Sequence, residues 1–253
     1  MRNAPLTVQG FHRMKVKIWG NHEAMSQAAA GWIARELGRD PRLLICLATG
    51  DTPARTYELL GVRARKSPAL FDHLRVLKLD EWGGLPLGDP GSCETYLQQR
   101  VIRSWGVSQR RFVGFAAGPT RPKSECKRIR NWLARNGPIG LCVLGLGRNG
   151  HLGLNEPGSM LCPVAHRAVL SEETRAHSML AHTIVKPDYG LTLGMAEVLE
   201  AARILLLVSG AHKRQPLKRL LRGEISTQFP ASLLCLHPQT MVFCDRVAAV
   251  PEY

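Results

Sequence analysis

Short apolar runs recur along the chain, and each run is continuous rather than alternating with polar residues. Continuous apolarity over this length favours strands that are buried on both faces of a sheet. Six runs have the length of a strand: LLICLA (43–48), VLKL (76–79), RFVGF (111–115), LCVLGLG (141–147), ILLLVSG (204–210) and MVFC (241–244).

The segments between these runs have helical character. The predicted helices cover residues 22–37, 53–65, 93–105, 124–137, 194–204 and 212–223. Alternation of strand and helix is typical of an α/β protein with a mostly parallel sheet. No Ser- or Pro-rich linker and no internal repeat divides the sequence, so we predict a single domain over residues 1–253. Six strand runs are too few for an eight-stranded α/β barrel.

The composition predicts a folded protein of the cytoplasm. With 45% apolar residues the chain can bury a sizeable core, whereas its longest apolar runs, such as ILLLV, are far shorter than a membrane helix. The N-terminal residues contain no apolar segment of the kind found in secretion signals. The seven cysteines form no CxxC pair, and Cys46, Cys142, Cys235 and Cys244 lie in apolar runs, so we expect small core residues and no zinc cluster.

The net charge of +14 raises the question of an anionic partner. A positive field attracts polyanions and speeds the capture of anionic substrates. The arginines are scattered rather than clustered, which does not favour a nucleic-acid footprint. We therefore expect a small phosphorylated molecule as partner, and neither nucleic acid nor a membrane.

Ligands of open parallel sheets bind at the carboxyl ends of the strands, so functional residues are expected directly after each run. The run 43–48 leads into TGDTP, in which Thr49, Gly50, Asp51 and Thr52 precede the helix-starting Pro53. A glycine turn that opens a helix offers free N–H groups to a phosphate. An ordinary connection gives the same pattern, and the carboxylate of Asp51 has to point away or bond a neighbour.

Two carboxylates, Asp80 and Glu81, follow the run 76–79 directly. At a strand end a carboxylate can be partly desolvated, which raises its pKa and suits it to removing a proton from carbon. The alternative is a helix cap or a solvated pair of carboxylates.

The run 141–147 leads into GLGRNGHLGLNEPG (145–158). Its glycines match the spacing GxGxxG, but a loop rather than a helix follows, so a dinucleotide site is not predicted. His151 and Glu156 lie five residues apart in this loop, and the carboxylate can orient the imidazole. A purely structural histidine is the alternative.

The run 204–210 leads into SGAHK, which places Lys213 in the first turn of a helix. The helix dipole disfavours a cation there, and a bound anion at the same place would explain it. A solvated surface lysine is the alternative.

Four motifs together, ATGDTP, LDEWGGLP, GLGRNGHLGLNEPG and SGAHKRQPL, resemble the glucosamine-6-phosphate deaminase family of amino-sugar-phosphate isomerases. The resemblance covers about residues 40–245. It implies a Rossmann-like three-layer αβα sandwich with a mostly parallel central sheet, and no metal or redox cofactor. It also implies conversion of a 2-amino-2-deoxyhexose 6-phosphate into a ketose 6-phosphate with release of ammonia.

The resemblance also implies roles for individual residues. Asp80 corresponds to the base that moves a proton between C2 and C1, His151 to the group that assists ring opening, and Glu156 to its carboxylate partner. The residues expected to contact the substrate or its phosphate are Thr49, Gly50, Asp51, Thr52, Glu81, Gly147, His177 and Lys213.

Two departures point to one branch of that family. Where glucosamine-6-phosphate deaminases usually have NDGH, this chain has RNGH, so Asn149 replaces an aspartate. An amide can hold the histidine by a hydrogen bond but cannot offset an imidazolium charge, so we expect Glu156 to carry more of that duty. The segment TRAHSML (174–180) contains His177 and no arginine beyond Arg175. Both features resemble the galactosamine-6-phosphate isomerase branch, whose product is tagatose 6-phosphate.

Three alternatives stay open. Glucosamine 6-phosphate is the alternative amino-sugar substrate. A related 6-phosphogluconolactonase does not need the LDE carboxylate as a carbon base, which speaks against that activity. A sugar-responsive transcription regulator carries a helix-turn-helix segment, whereas the roughly 40 residues before the first predicted strand leave room for one amphipathic helix. Homo-oligomer formation also stays open.

Overall fold

The computed structural model describes residues 6–8, 14–118, 121–158 and 160–249. Eight strands form the central sheet in the order β1-β2-β11-β10-β7-β3-β4-β6. Their bounds are β1 (Leu6–Val8), β2 (Lys15–Trp19), β3 (Leu44–Leu47), β4 (Arg75–Lys78), β6 (Phe112–Val113), β7 (Leu141–Gly145), β10 (Ile204–Val208) and β11 (Thr240–Asp245). All pairs are parallel except β1 with β2. The six predicted strands are thus confirmed.

Helices cover both faces of this sheet. Their bounds are α1 (His22–Arg39), α2 (Asp51–Lys66), α3 (Cys93–Leu97), α4 (Arg103–Trp105), α5 (Pro122–Asn136), α6 (Glu172–Arg175), α7 (Met195–Leu199), α8 (Arg214–Leu221) and α9 (Arg246–Ala249). One core lies between the sheet and α5, α7 and α8, and the other between the sheet and α1, α2 and residues 93–105. In β3, Cys46 packs into the first core and Ile45 and Leu47 into the second.

Successive side chains of a strand point to opposite faces, so burial of consecutive residues means that both faces are covered. The predicted Rossmann-like three-layer αβα sandwich with a mostly parallel sheet is confirmed. The single-domain prediction includes residues outside the described ranges and stays a prediction. Among the described residues, none of the helices has the length and apolarity needed to cross a membrane.

A second, antiparallel sheet lies beside the carboxyl end of β4. It contains β5 (Asp80–Trp82), β8 (His166–Val169) and β9 (Tyr189–Thr192) in the order β5-β9-β8. Only Leu79 separates β4 from β5, and its carbonyl accepts a hydrogen bond from the N–H of Leu193 just after β9. The small sheet therefore fixes the backbone that carries Asp80.

Three of the predicted helical segments are not a single α-helix over their whole length. The segment 194–204 forms only the short helix α7, because β10 already begins at Ile204. In the segment 212–223, a 3₁₀ turn (Ala211–Lys213) precedes α8. The predicted helix 93–105 is continuous and includes a π-helical turn (Gln98–Ile102).

Candidate active site

A cavity of about 590 Å³ opens at the carboxyl edge of the central sheet. The loops that follow β3, β7 and β10 line it, together with β5 and residues around α6. Nine of the twelve predicted site residues line this cavity: Thr49, Gly50, Asp51, Thr52, Asp80, Gly147, His151, His177 and Lys213. Asn149, Glu156 and Glu81 do not line it.

Asp80 is buried in the wall of the cavity. Burial raises the pKa of Asp80 to about 7; repulsion from Glu81 adds to this, whereas Lys78 and a hydrogen bond from Cys93 oppose it. A carboxyl group with a pKa near neutrality can both accept and return a proton at physiological pH.

Glu81 faces away from the cavity, although it is adjacent to Asp80. Its carboxylate accepts hydrogen bonds from Lys78 Nζ at 2.6 Å and from the backbone N–H groups of Trp82, Cys93 and Glu94 at 2.8–2.9 Å. Glu81 thus binds the N-terminal N–H groups of α3 and neutralises a buried lysine, and its expected contact with the substrate stays a prediction.

Glycines shape the loop that presents His151. The position of a Cβ on Gly147 would lie 2.5 Å from the imidazole, so a side chain there would displace the ring. Gly150 has a φ of +91°, which favours glycine. Asn149 Oδ1 accepts a hydrogen bond from the backbone N–H of His151 at 3.0 Å, and this contact fixes the turn.

The imidazole of His151 has two neighbours at Nδ1. Thr174 Oγ1 lies within hydrogen-bonding distance at 3.3 Å, and Glu156 Oε2 lies at 3.8 Å. Burial lowers the pKa of His151 to about 4, with Lys213 and His177 adding and Glu156 opposing. The ring is thus neutral near pH 7. A carboxylate on the Nδ1 side favours the tautomer protonated there, which leaves the Nε2 lone pair as the basic group.

Two positively charged side chains line the cavity. Lys213 lies at the start of α8, and burial lowers its pKa to about 8, with repulsion from Arg148 adding to the shift. Arg148 lines the same cavity. The half-buried Lys213 and the exposed Arg148 together suit a multiply charged anion.

The loop before α2 lines the same cavity. Gly50 has a φ of +107° and starts a helix of 16 residues, whose N-terminal N–H groups favour an anion. Asp51 Oδ2 accepts a hydrogen bond from Ser178 Oγ at 3.1 Å, which answers the question of its partner. His177 lies near Gly50, since a Cβ there would be 3.8 Å from its Nε2.

The described residues contain no group of three or more His, Cys, Asp or Glu side chains placed to hold a metal ion.

Residues 20–243 match the protein family described as glucosamine-6-phosphate isomerases/6-phosphogluconolactonase. The chain belongs to this family. It is 41% identical over 217 residues to the putative deaminase AgaI of Escherichia coli (strain K12). This match covers 86% of this chain and 86% of the relative. It is 36% identical to glucosamine-6-phosphate deaminase 1 of Bacillus subtilis (strain 168), over 93% of this chain and 98% of the relative.

Solved structures of the family agree with the fold. A monomeric glucosamine-6-phosphate deaminase, described as a missing link of the NagB superfamily, has a TM-score of 0.88 and 35% identity, covering 92% of this chain and 98% of its own. The 6-phosphogluconolactonase of Trypanosoma brucei has a TM-score of 0.76 at 19% identity, over 95% and 98% of the two chains, and shows a shared fold alone. The chain is an enzyme of the amino-sugar-phosphate isomerase/deaminase kind.

Several residues that line the cavity are not among the predicted site residues. Thr174, which contacts the His151 ring, lies 23 residues after it and outside the motif that carries the histidine. Arg148 lies in the motif 145–158, where its charge was a signal for anion binding. Ser209 lies in the run 204–210, where its place at a strand end was the signal. Glu173 and Ser178 come from the segment around α6, which no apolar run marks.

Proposed function

We propose that the enzyme converts galactosamine 6-phosphate and one water into tagatose 6-phosphate and ammonia. The observation that carries the proposal is that Asp80 and His151 line the same cavity, with Lys213 and the loop before α2 available to a phosphate. A base, an imidazole and an anion site within one cavity of about 590 Å³ suit one phosphorylated six-carbon ligand.

Ring opening is the first step. With the 6-phosphate bound at Lys213 and residues 49–52, the anomeric end of the sugar lies toward the carboxyl ends of β7 and β5. Neutral His151 takes the proton of the anomeric hydroxyl at Nε2 and delivers it to the ring oxygen, so that the C1–O5 bond breaks and the C1 aldehyde forms.

Proton transfer between carbons is the second step. Ionised Asp80 removes the proton from C2, and the electron pair forms the C1–C2 double bond of an enolamine while the aldehyde oxygen takes up the proton that the substrate's C2 ammonium group releases. Asp80 then returns its proton to C1 as the C2–N bond becomes an imine. Water adds to C2, ammonia leaves, and the C2 ketone remains, so one water is consumed for each ammonia released.

The galacto configuration is supported by the replacement of the NDGH aspartate by Asn149 and by His177 in a segment without the family's phosphate-binding arginine. The identity to AgaI (41%) exceeds that to the glucosamine-6-phosphate deaminase of Bacillus subtilis (36%), in keeping with a separate branch. A cytoplasmic location and the subunit number stay predictions.

An ammonia-release assay with both epimeric amino-sugar phosphates tests the proposal. We expect kcat/KM to be about fivefold to a hundredfold higher for galactosamine 6-phosphate, as one repositioned hydroxyl in a polar site is worth about 1–3 kcal/mol. A reversed preference would assign glucosamine 6-phosphate instead. Absence of ammonia from both epimers, with hydrolysis of 6-phosphogluconolactone, would replace the deaminase proposal by the lactonase activity.

A further inference from the structure

Asp80 and Glu81 are adjacent carboxylates with unequal hydrogen bonding. Glu81 accepts four hydrogen bonds, one of them from a buried ammonium group. Among the described residues, the donor that reaches the carboxylate of Asp80 is the thiol of Cys93, at 3.7 Å from Oδ1. Asp80, the carboxylate expected to exchange the proton, thus accepts one weak hydrogen bond, whereas Glu81 accepts four.

The thiol is held firmly in this position. Cys93 is the first residue of α3 and is 1% exposed, and its backbone N–H donates to Glu81 Oε1 at 2.9 Å. Burial raises the pKa of the Cys93 thiol well above its usual value, so the S–H proton is retained and available for donation. Thr49 Oγ1 lies 3.4 Å from the same sulfur, which connects the loop before α2 to the carboxylate.

The two oxygens of Asp80 therefore have different surroundings. Oδ1 contacts Cys93, whereas Oδ2 lies beside Gly153, where a Cβ would be only 3.3 Å away. Gly153 and Asp80 both line the cavity. The missing Cβ of Gly153 leaves space for the Asp80 carboxylate itself and for Thr192 Oγ1, which a Cβ would approach to 2.8 Å.

We propose that Cys93 is a positioning residue that holds Asp80 Oδ1 and so makes Oδ2 the oxygen that exchanges the proton with the substrate. The proposal rests on the proposed function, because it assigns Asp80 as the base. A thiol suits this task since it is a weak donor: it fixes the carboxylate plane but withdraws little basicity from it. A hydroxyl or an N–H donor would stabilise the carboxylate more strongly and make it a weaker base.

Several other titratable groups lie near Asp80. Their charge states have to be the same in the wild type and in the Cys93 variants for the role of Cys93 to be tested. Lys78 on β4 and Glu81 on β5 carry opposite charges. Cys46 on β3 and Tyr57 on α2 are buried, and burial raises the pKa of each well above its usual value, so both are neutral across the working range. A substitution of Cys93 leaves all four groups in place.

The test is the pH profile of kcat/KM for ammonia release by Cys93→Ala and Cys93→Ser. Loss of the donor in Cys93→Ala removes stabilisation of the carboxylate, so we expect the acidic limb to move up by about 0.5 pH units and kcat to fall about twofold to tenfold. The stronger hydroxyl donor in Cys93→Ser moves the limb down and retains more of kcat. Cys162→Ala, at an exposed cysteine, serves as the matched control.

A direct titration keeps the result independent of activity. The ¹³C resonance of the Asp80 carboxyl group, assigned by its loss in Asp80→Asn, reports its pKa even if neither amino-sugar phosphate is turned over. Opposite shifts in the two Cys93 variants support the positioning role. Unchanged titration in Cys93→Ala, or shifts of both variants in the same direction, would overturn it, and a failure of wild-type turnover alone would overturn only the proposed function.

Discussion

Asn149 Nδ2 donates a hydrogen bond to Glu156 Oε2 over 2.9 Å, and the same carboxylate oxygen lies 3.8 Å from His151 Nδ1. The amide therefore holds the Glu156 carboxylate through its Nδ2 and the histidine through the backbone N–H of His151. This arrangement leaves Glu156 as the charged group that faces the ring.

Glu156→Gln should slow turnover by about tenfold to a hundredfold. Without the carboxylate, a positive charge that develops on His151 during ring opening loses stabilisation worth about 1.5–3 kcal/mol. The measurement is kcat for ammonia release, with Glu224→Gln at an exposed position as the control. Asn149→Ala acts through the same carboxylate, so its effect should be much smaller in the Glu156→Gln background. Additive effects would contradict this coupling.

Asp80→Asn should lower kcat about 10²–10⁴-fold while leaving substrate binding measurable, because it removes the base and keeps the shape. In the wild-type enzyme the base form is lost as pH falls through the Asp80 pKa of about 7, so kcat/KM should decline below that value. Binding is followed by calorimetry in the variant. Near-wild-type turnover of Asp80→Asn would exclude the proton-transfer role.

The same substitution should stabilise the fold at alkaline pH. The pKa of Asp80 is raised from 3.8 in the unfolded chain to about 7, so its ionisation costs stability as pH rises between these values. The gain from Asp80→Asn should therefore increase by about 2–3 kcal/mol between pH 5 and pH 8. Urea unfolding at both pH values measures this gain in the free energy of unfolding. A gain that is independent of pH would show that burial does not raise the pKa of Asp80.

Lys213→Met should raise KM about tenfold to a hundredfold with a smaller change in kcat, because it removes a charged contact to the phosphate. The lowered pKa of Lys213, about 8, means that the wild-type cation is lost as pH rises through that value. Hence kcat/KM should decline above pH 8 in the wild type and not in the variant. Lys218→Met, at an exposed position of α8, is the control. A loss confined to kcat would argue against phosphate binding.

The apolar runs predicted the sheet because both faces of these strands are buried, and the strand ends located most of the cavity. The small sheet was missed, since Asp80–Trp82 is short and polar and forms a strand only by pairing with β9. Glu81 lies outside the cavity that Asp80 lines, because the two-residue period of a strand sends adjacent side chains to opposite sides. Thr174 was not predictable, because its contact with His151 depends on how a long loop folds back.

Lys78→Met should destabilise the protein by about 3–5 kcal/mol, the cost of leaving a buried charge without its partner. Burial lowers the pKa of Lys78, but Glu81 and Glu94 outweigh it and raise that pKa, so the ammonium is charged when it bonds Glu81 Oε2 at 2.6 Å.

Urea unfolding measures the loss, and Lys66→Met, at an exposed position, is the control. Adding Glu81→Gln to Lys78→Met removes the unpaired carboxylate and should recover part of the stability. A loss below about 1 kcal/mol would mean that the pair contributes no more than a surface salt bridge, and that the backbone N–H groups of α3 alone satisfy Glu81.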